Sequence, residues 1–146
     1  MGKQYKQLTK EDIDFIKKQK LFYIASCSDA EVNLSPKAYD SIAIAAEDTI
    51  LFLSYPGSTN RTQKDVLNDG KITLLFNAFE GDPYLLRIFC KANIIDKDSD
   101  KFQEYLKYFT LENQKVRDIF EFKIQNIESN CGLTVPIMEY KGDRKS

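Results

Sequence analysis

The sequence contains no histidine. That absence removes Ser-His and Cys-His nucleophilic arrangements, both of which need an imidazole as base. It also argues against a zinc site, and cysteine does not make up the deficit. Cys27, Cys90 and Cys131 are the only three, and they are far apart with no paired spacing. An odd number of scattered thiols fits a reducing cytosol better than a disulfide scaffold, so a cytoplasmic location is expected. There is no apolar run long enough to cross a bilayer and no hydrophobic region of signal-peptide type, so no membrane partner is expected. Neither sign of charge is in excess: 21 basic and 22 acidic residues leave a net charge of −1, with no whole-chain pull towards nucleic acid. If the protein performs chemistry, something bound to it is expected to supply the reactive group.

What is present is a succession of alternating apolar stretches. At 146 residues the chain is expected to form a single domain, with loose ends at residues 1–8 and 141–146. Thr9 is placed to cap a helix over residues 10–20, with Ile13, Phe15 and Ile16 as its apolar stripe and three lysines at its C-terminal end. A strand is expected over 21–27, with Phe22, Ile24 and Ser26 on one face. The chain returns as a hairpin from 31 to 34, interrupted at Ser35-Pro36-Lys37 because proline cannot donate to a ladder. A short alternating piece covers 41–46. Longer strands follow over 84–95 and 119–127, with a helix capped by Ser99 between them and a further helical turn starting at Thr110. About six strands with one apolar face each predict a mainly-β barrel or sandwich with flanking helices.

The stretch from 49 to 77 organises this pattern. It reads as strand (49–55), a break at Pro56-Gly57-Ser58, a short helix from Arg61, and strand again from Ile72. Asn60 and Gln63 have the spacing of a capping box, and Asn68-Asp69-Gly70 suits a left-handed helix end. Ser54, Ser58, Thr59, Asn60, Arg61 and Thr62 therefore crowd one helix N-terminus. Amides, hydroxyls and a guanidinium together suit a phosphate.

Three segments, VNLSPKAYDS from Val32, LFLSYPGSTNRTQKDVLNDGKITLLFNAFEG from Leu51 and NCGLTVPIMEY from Asn130, agree in order and spacing with one family. Together they resemble the FMN-binding split-barrel group related to pyridoxamine 5'-phosphate oxidase. The resemblance implies a six-stranded split barrel and a homodimer with flavin sites at the subunit interface. It also implies that Ser35 and Lys37 contact the flavin, that Ser54 sits at a strand end, and that Asn60, Arg61 and Thr62 take the FMN phosphate. Phe76 and Asn77 are weaker candidates for the wall of the other subunit's site. The activity implied is an FMN-dependent oxidoreductase moving hydride or electrons between NADH or NADPH and a small acceptor. A non-catalytic flavin carrier is the alternative, and deazaflavin or haem are alternative cofactors. Two departures stand out. The oxidase proper holds its substrate with an arginine and a histidine, and this chain lacks histidine, so pyridoxamine phosphate is not the expected substrate. Ala38 stands where the small branch tends to have glycine. Arg87 could line a cleft or sit in a salt bridge, Cys131 could be redox-active or a packed thiol, and Tyr39, Tyr55 and Tyr84 could stack on a flavin or fill the core.

Overall fold

A computed structural model describes residues 2–56, 60–110 and 116–145. Among these described residues, eight strands and three α-helices follow one another. They are β1 (Lys3–Tyr5), α1 (Lys10–Lys18), β2 (Leu21–Cys27), β3 (Asn33–Ala38), β4 (Ile42–Ala46), β5 (Thr49–Ser54), α2 (Arg61–Leu67), β6 (Lys71–Asn77), β7 (Leu85–Ile95), α3 (Asp100–Leu106) and β8 (Asp118–Asn130). The strand count corrects the expected six. The strand not expected is β1, of three residues; the return strand expected at 31–34 and the short piece at 41–46 are β3 and β4, parted by a 3₁₀ turn at Tyr39–Ser41. The helical turn expected from Thr110 falls mostly on residues 111–115, outside the described residues, as do Gly57, Ser58 and Thr59.

All pairings are antiparallel, in the order β3-β2-β6-β7-β8-β5-β4, and β1 pairs with β8. The sheet curls into a half-barrel with β3 and β4 as its two edges. Pro36 does not interrupt β3 as expected; it stays in register opposite Tyr23 because an edge strand has one side free of ladder bonds. The N-terminal segment is not a loose lead-in either: β1 is hydrogen-bonded to β8, and Leu8 is buried in the core.

β8 is the longest strand and has three partners. Its first half pairs with β5 and its last residues with β1. Between them the register against β7 jumps from Phe89–Asn126 to Cys90–Ile124, leaving Gln125 as a bulge. A bulge of this kind bends and twists its strand, which lets one strand serve both sides of a curled sheet.

Alternation places Phe22, Ile24, Phe52, Leu74, Phe76, Ile88, Phe120 and Phe122 on the inner face. Phe22 stacks on Phe76 at 5.2 Å, and Phe52 meets Phe120 edge-on at 5.7 Å between centroids. Every residue of β5 is buried, because Leu51 and Leu53 on its outer face lie under Phe102 and Tyr105 of α3. α3 is further tied by the Tyr105 hydroxyl, which donates to the buried Glu121 carboxylate, and by Lys101 at 3.0 Å from the same group. α1 is fixed by a capping box in which Asp12 accepts from the Thr9 amide and the Asp12 amide donates to Thr9 Oγ1, both at 3.1 Å. Tyr84 also donates to the buried Asp12 carboxylate, at 3.0 Å. Among the described residues, no helix is long and apolar enough to cross a membrane.

Candidate functional site

Register decides what lies beside the loop-to-helix junction. Ser54, the last residue of β5, is opposite Asp118, the first of β8. Arg117 therefore arrives next to Ser54, whose carbonyl accepts from its amide at 2.8 Å. The guanidinium then fans out: Nη2 donates to Ser54 Oγ at 2.8 Å, Nη1 to Asn60 Oδ1, and Nε to Asp118 Oδ2 at 3.0 Å. Gln63 Nε2 reaches the same Asp118 oxygen at 3.0 Å. These contacts overturn the expected capping box. Asn60 and Gln63 have the right spacing, but both side chains are taken by residues far along the chain, and α2 begins without a side-chain cap.

Lys37 lies opposite Phe22 in the β2–β3 ladder, so it shares the inner face with the core. Its ammonium lies 5.6 Å from the centre of the Phe52 ring. Burial pushes its pKa below the ordinary lysine value, and the facing charge of Arg117 pushes it further in the same direction. Among the described residues, no carboxylate lies within 4 Å of this ammonium.

Arg61 is differently employed. Its Nη2 donates to the Glu31 carbonyl at 2.6 Å and to Glu31 Oε2 at 3.2 Å, and its Nε lies 3.7 Å from Asp65 one turn on. Asp65 is buried and accepts from Ser26 Oγ and Ser28 Oγ, both at 2.7 Å. Burial alone would raise its pKa, but these hydroxyls and Arg61 outweigh burial and hold it below the usual carboxylate value. Thr62 Oγ1 accepts from Asn33 Nδ2 at 3.3 Å, and that amide also reaches Ser35 Oγ at 3.4 Å.

The six expected residues thus fall into three groups. Ser54 and Asn60 meet through Arg117, Ser35 and Thr62 meet through Asn33, and Arg61 is bound to two carboxylates, with Lys37 facing Arg117. Sequence reasoning missed Arg117 and Asn33. Only the pairing of β5 with β8 could have pointed to Arg117, because the polar stretch before it carries no periodic signal. Chemically, two partly buried cations, Lys37 and Arg117, stand here with a single carboxylate, Asp118, bound to Arg117 alone of the two, and with the Ser54 hydroxyl and the Asn60 amide on Arg117, a donor set that suits an anion.

Several other expectations are also resolved. Phe76 is a core residue stacked on Phe22 rather than a free wall, whereas Asn77 is a buried polar group. Arg87 is exposed and lies opposite Glu128 with no ion pair among the described residues. Cys131 is exposed, not packed. Tyr55 is half-buried against the α3 cluster.

Comparison with known proteins agrees with this architecture. The family described as pyridoxamine 5'-phosphate oxidase matches residues 8–131. A curated relative, the pyridoxamine 5'-phosphate oxidase family protein ustO of Aspergillus flavus, is 24% identical over 144 residues. That match takes in 95% of this chain but only 58% of the relative's length. Among solved structures, a Lactobacillus delbrueckii protein provisionally called a pyridoxamine 5'-phosphate oxidase superposes with a TM-score of 0.65 at 17% identity, over 83% of this chain and 93% of the other. An FAD-binding protein from Mycobacterium smegmatis superposes with a TM-score of 0.60 at 14% identity, over 85% and 95%. At these identities the structures establish likeness of fold alone. The family match spans most of the chain: this protein belongs to the pyridoxamine 5'-phosphate oxidase family.

Proposed function

We propose that the protein binds FMN and acts as a flavin-dependent oxidoreductase between a reduced nicotinamide and a small acceptor. The observation that carries this reading is Lys37, an ammonium drawn into the core face with no carboxylate near it among the described residues and a second cation opposite. A doubly charged phosphate relieves both the desolvation and the repulsion. Lys37, Arg117, Ser54 and Asn60 would hold the phosphate. Ser35, Thr62 and Arg61 would line the adjoining wall, with Arg61 acting through its grip on Glu31 and Asp65. Family membership and the flavin named for the M. smegmatis neighbour support the reading. When bound, FMN supplies the hydride- and electron-accepting ring; the chain's part is binding, orientation and electrostatics.

A homodimer fits the same reading, since Leu34 of the edge strand β3 and Val32 just before it are exposed. Purified protein should carry a flavin absorbance band, and added FMN should raise its Tm by binding linkage. Protein that is colourless and indifferent to FMN, FAD and riboflavin in titration would refute the proposal. Turnover of NADH or NADPH with an acceptor separates an oxidoreductase from a carrier that holds flavin without turnover.

A further inference from the structure

Outside the loop-to-helix site, a groove of about 990 Å³ opens between α1, the β6–β7 loop and the C-terminal tail. We propose that this groove is a binding site for a flat aromatic cation.

Three observations point there. First, its walls are aromatic: Phe15 and Tyr84 meet edge-to-face at 4.8 Å, and Phe79 and Tyr140 complete the lining. Second, its rim is acidic. Glu11, Asp14, Glu80, Asp82 and Glu139 surround it, against two lysines, Lys18 and Lys20. Like charges gathered on a concave surface focus their field, which raises the local concentration of cations and disfavours anions. Third, the wall already receives a cation. Lys20 Nζ stands 5.1 Å from the centre of the Tyr140 ring and 4.3 Å from that of Tyr39, so much of its charge is turned to these rings.

The tail side of the groove is assembled, not open-ended. The Met138 amide donates to the Phe79 carbonyl at 2.9 Å. Asp143 accepts from the Tyr140 hydroxyl at 2.6 Å and from the Tyr39 hydroxyl at 3.0 Å. A ligand therefore meets a wall whose position is set by bonds to the Tyr39–Ser41 turn and to the β6–β7 loop. The volume is within the range that encloses a small organic molecule. This inference does not rest on flavin binding.

The test titrates the purified protein with acridine orange, a planar cation, by fluorescence anisotropy, with fluorescein as the planar anion. Acridine orange should saturate one site below about 1 mM and weaken as salt is added. The triple variant Glu80→Gln, Asp82→Asn, Glu139→Gln, all exposed positions, should weaken it about tenfold with Tm unchanged. Phe79→Ala should weaken it also, while Lys37→Met should leave it as in the wild type. No saturation, equal affinity in the triple variant, or fluorescein binding as tightly as acridine orange would each overturn the proposal. Loss of the dye in Lys37→Met would move it to the loop-to-helix site and overturn the proposal too.

Discussion

Replacing Lys37 by Met should have two effects of opposite sign. In the free protein the ammonium is drawn towards the core and faces Arg117, so its charge opposes folding. Met keeps the length of the stem and can pack on Phe52, at a cost of about 0.5 kcal/mol for the lost and distant cation–π contact. Lys37 is only partly buried, so solvent screens the repulsion and the net gain is held to about 1 kcal/mol. For a chain of this length that corresponds to a Tm higher by about 3 °C. The same substitution removes a charge-assisted contact to phosphate and should weaken FMN by about 1.5–3 kcal/mol, roughly 10- to 150-fold. The pH dependence has a definite sign. Because the folded pKa is depressed, the unfolded chain binds the extra proton, and wild-type stability rises with pH from that depressed value up to the ordinary lysine value of about 10.4. The difference between wild type and Lys37→Met should shrink across that window. Differential scanning fluorimetry with and without FMN, repeated from neutral to alkaline pH, reads all of this. A lower Tm for the free variant, with FMN affinity unchanged, would show that Lys37 is neither strained nor an anion ligand.

Other substitutions probe the surroundings. Asp65→Ala strands Ser26, Ser28 and Arg61 and should cost about 3 kcal/mol in urea denaturation. Because the Asp65 pKa is lowered on folding, its contribution is present above about pH 4 and lost below it, so the gap between wild type and Asp65→Asn should close as pH falls. Tyr105→Phe leaves the buried Glu121 with Lys101 as its remaining partner and should lower stability by about 1 kcal/mol, with α3 amides exchanging faster in hydrogen-exchange measurements. Gly70→Ala puts a Cβ 2.5 Å from the Asp65 carbonyl and 2.6 Å from that of Cys27, both rigid backbone, and should depress Tm by more than any surface change in α2.

How far the sequence could be read depends on whether each signal was local. The strand over Leu21–Cys27 and the helix capped by Ser99 are specified by alternation and by a cap within a few residues, and both stand where expected. β5 and β6 were legible for the same reason. The turn after α2 was legible only in part: the left-handed residue is Asp69, at φ 54°, and Gly70 is needed because two carbonyls press on it. The candidate site was the least legible region. Asn60 and Gln63 carry a local pattern that tertiary partners override, and Arg61 looked free because Glu31 reaches it only once β2, β3 and α2 are packed, although its other partner, Asp65, is one turn along the same helix. The cation that replaces it, Arg117, is set by strand pairing across more than sixty positions, a relation that no window along the chain contains.

The three-partner role of β8 has a consequence for biosynthesis. During translation, β2, β3, β6 and β7 can pair as soon as each emerges, but β5 has only β4 to hold, and β1 has nothing. β5 cannot be placed until residue 123 has left the ribosome, nor β1 until residue 129, so the nascent polypeptide must keep the apolar β4–β5 hairpin in waiting until β8 is made. Pairing across such separations is slow, and that hairpin is the segment on which a chaperone would act before release.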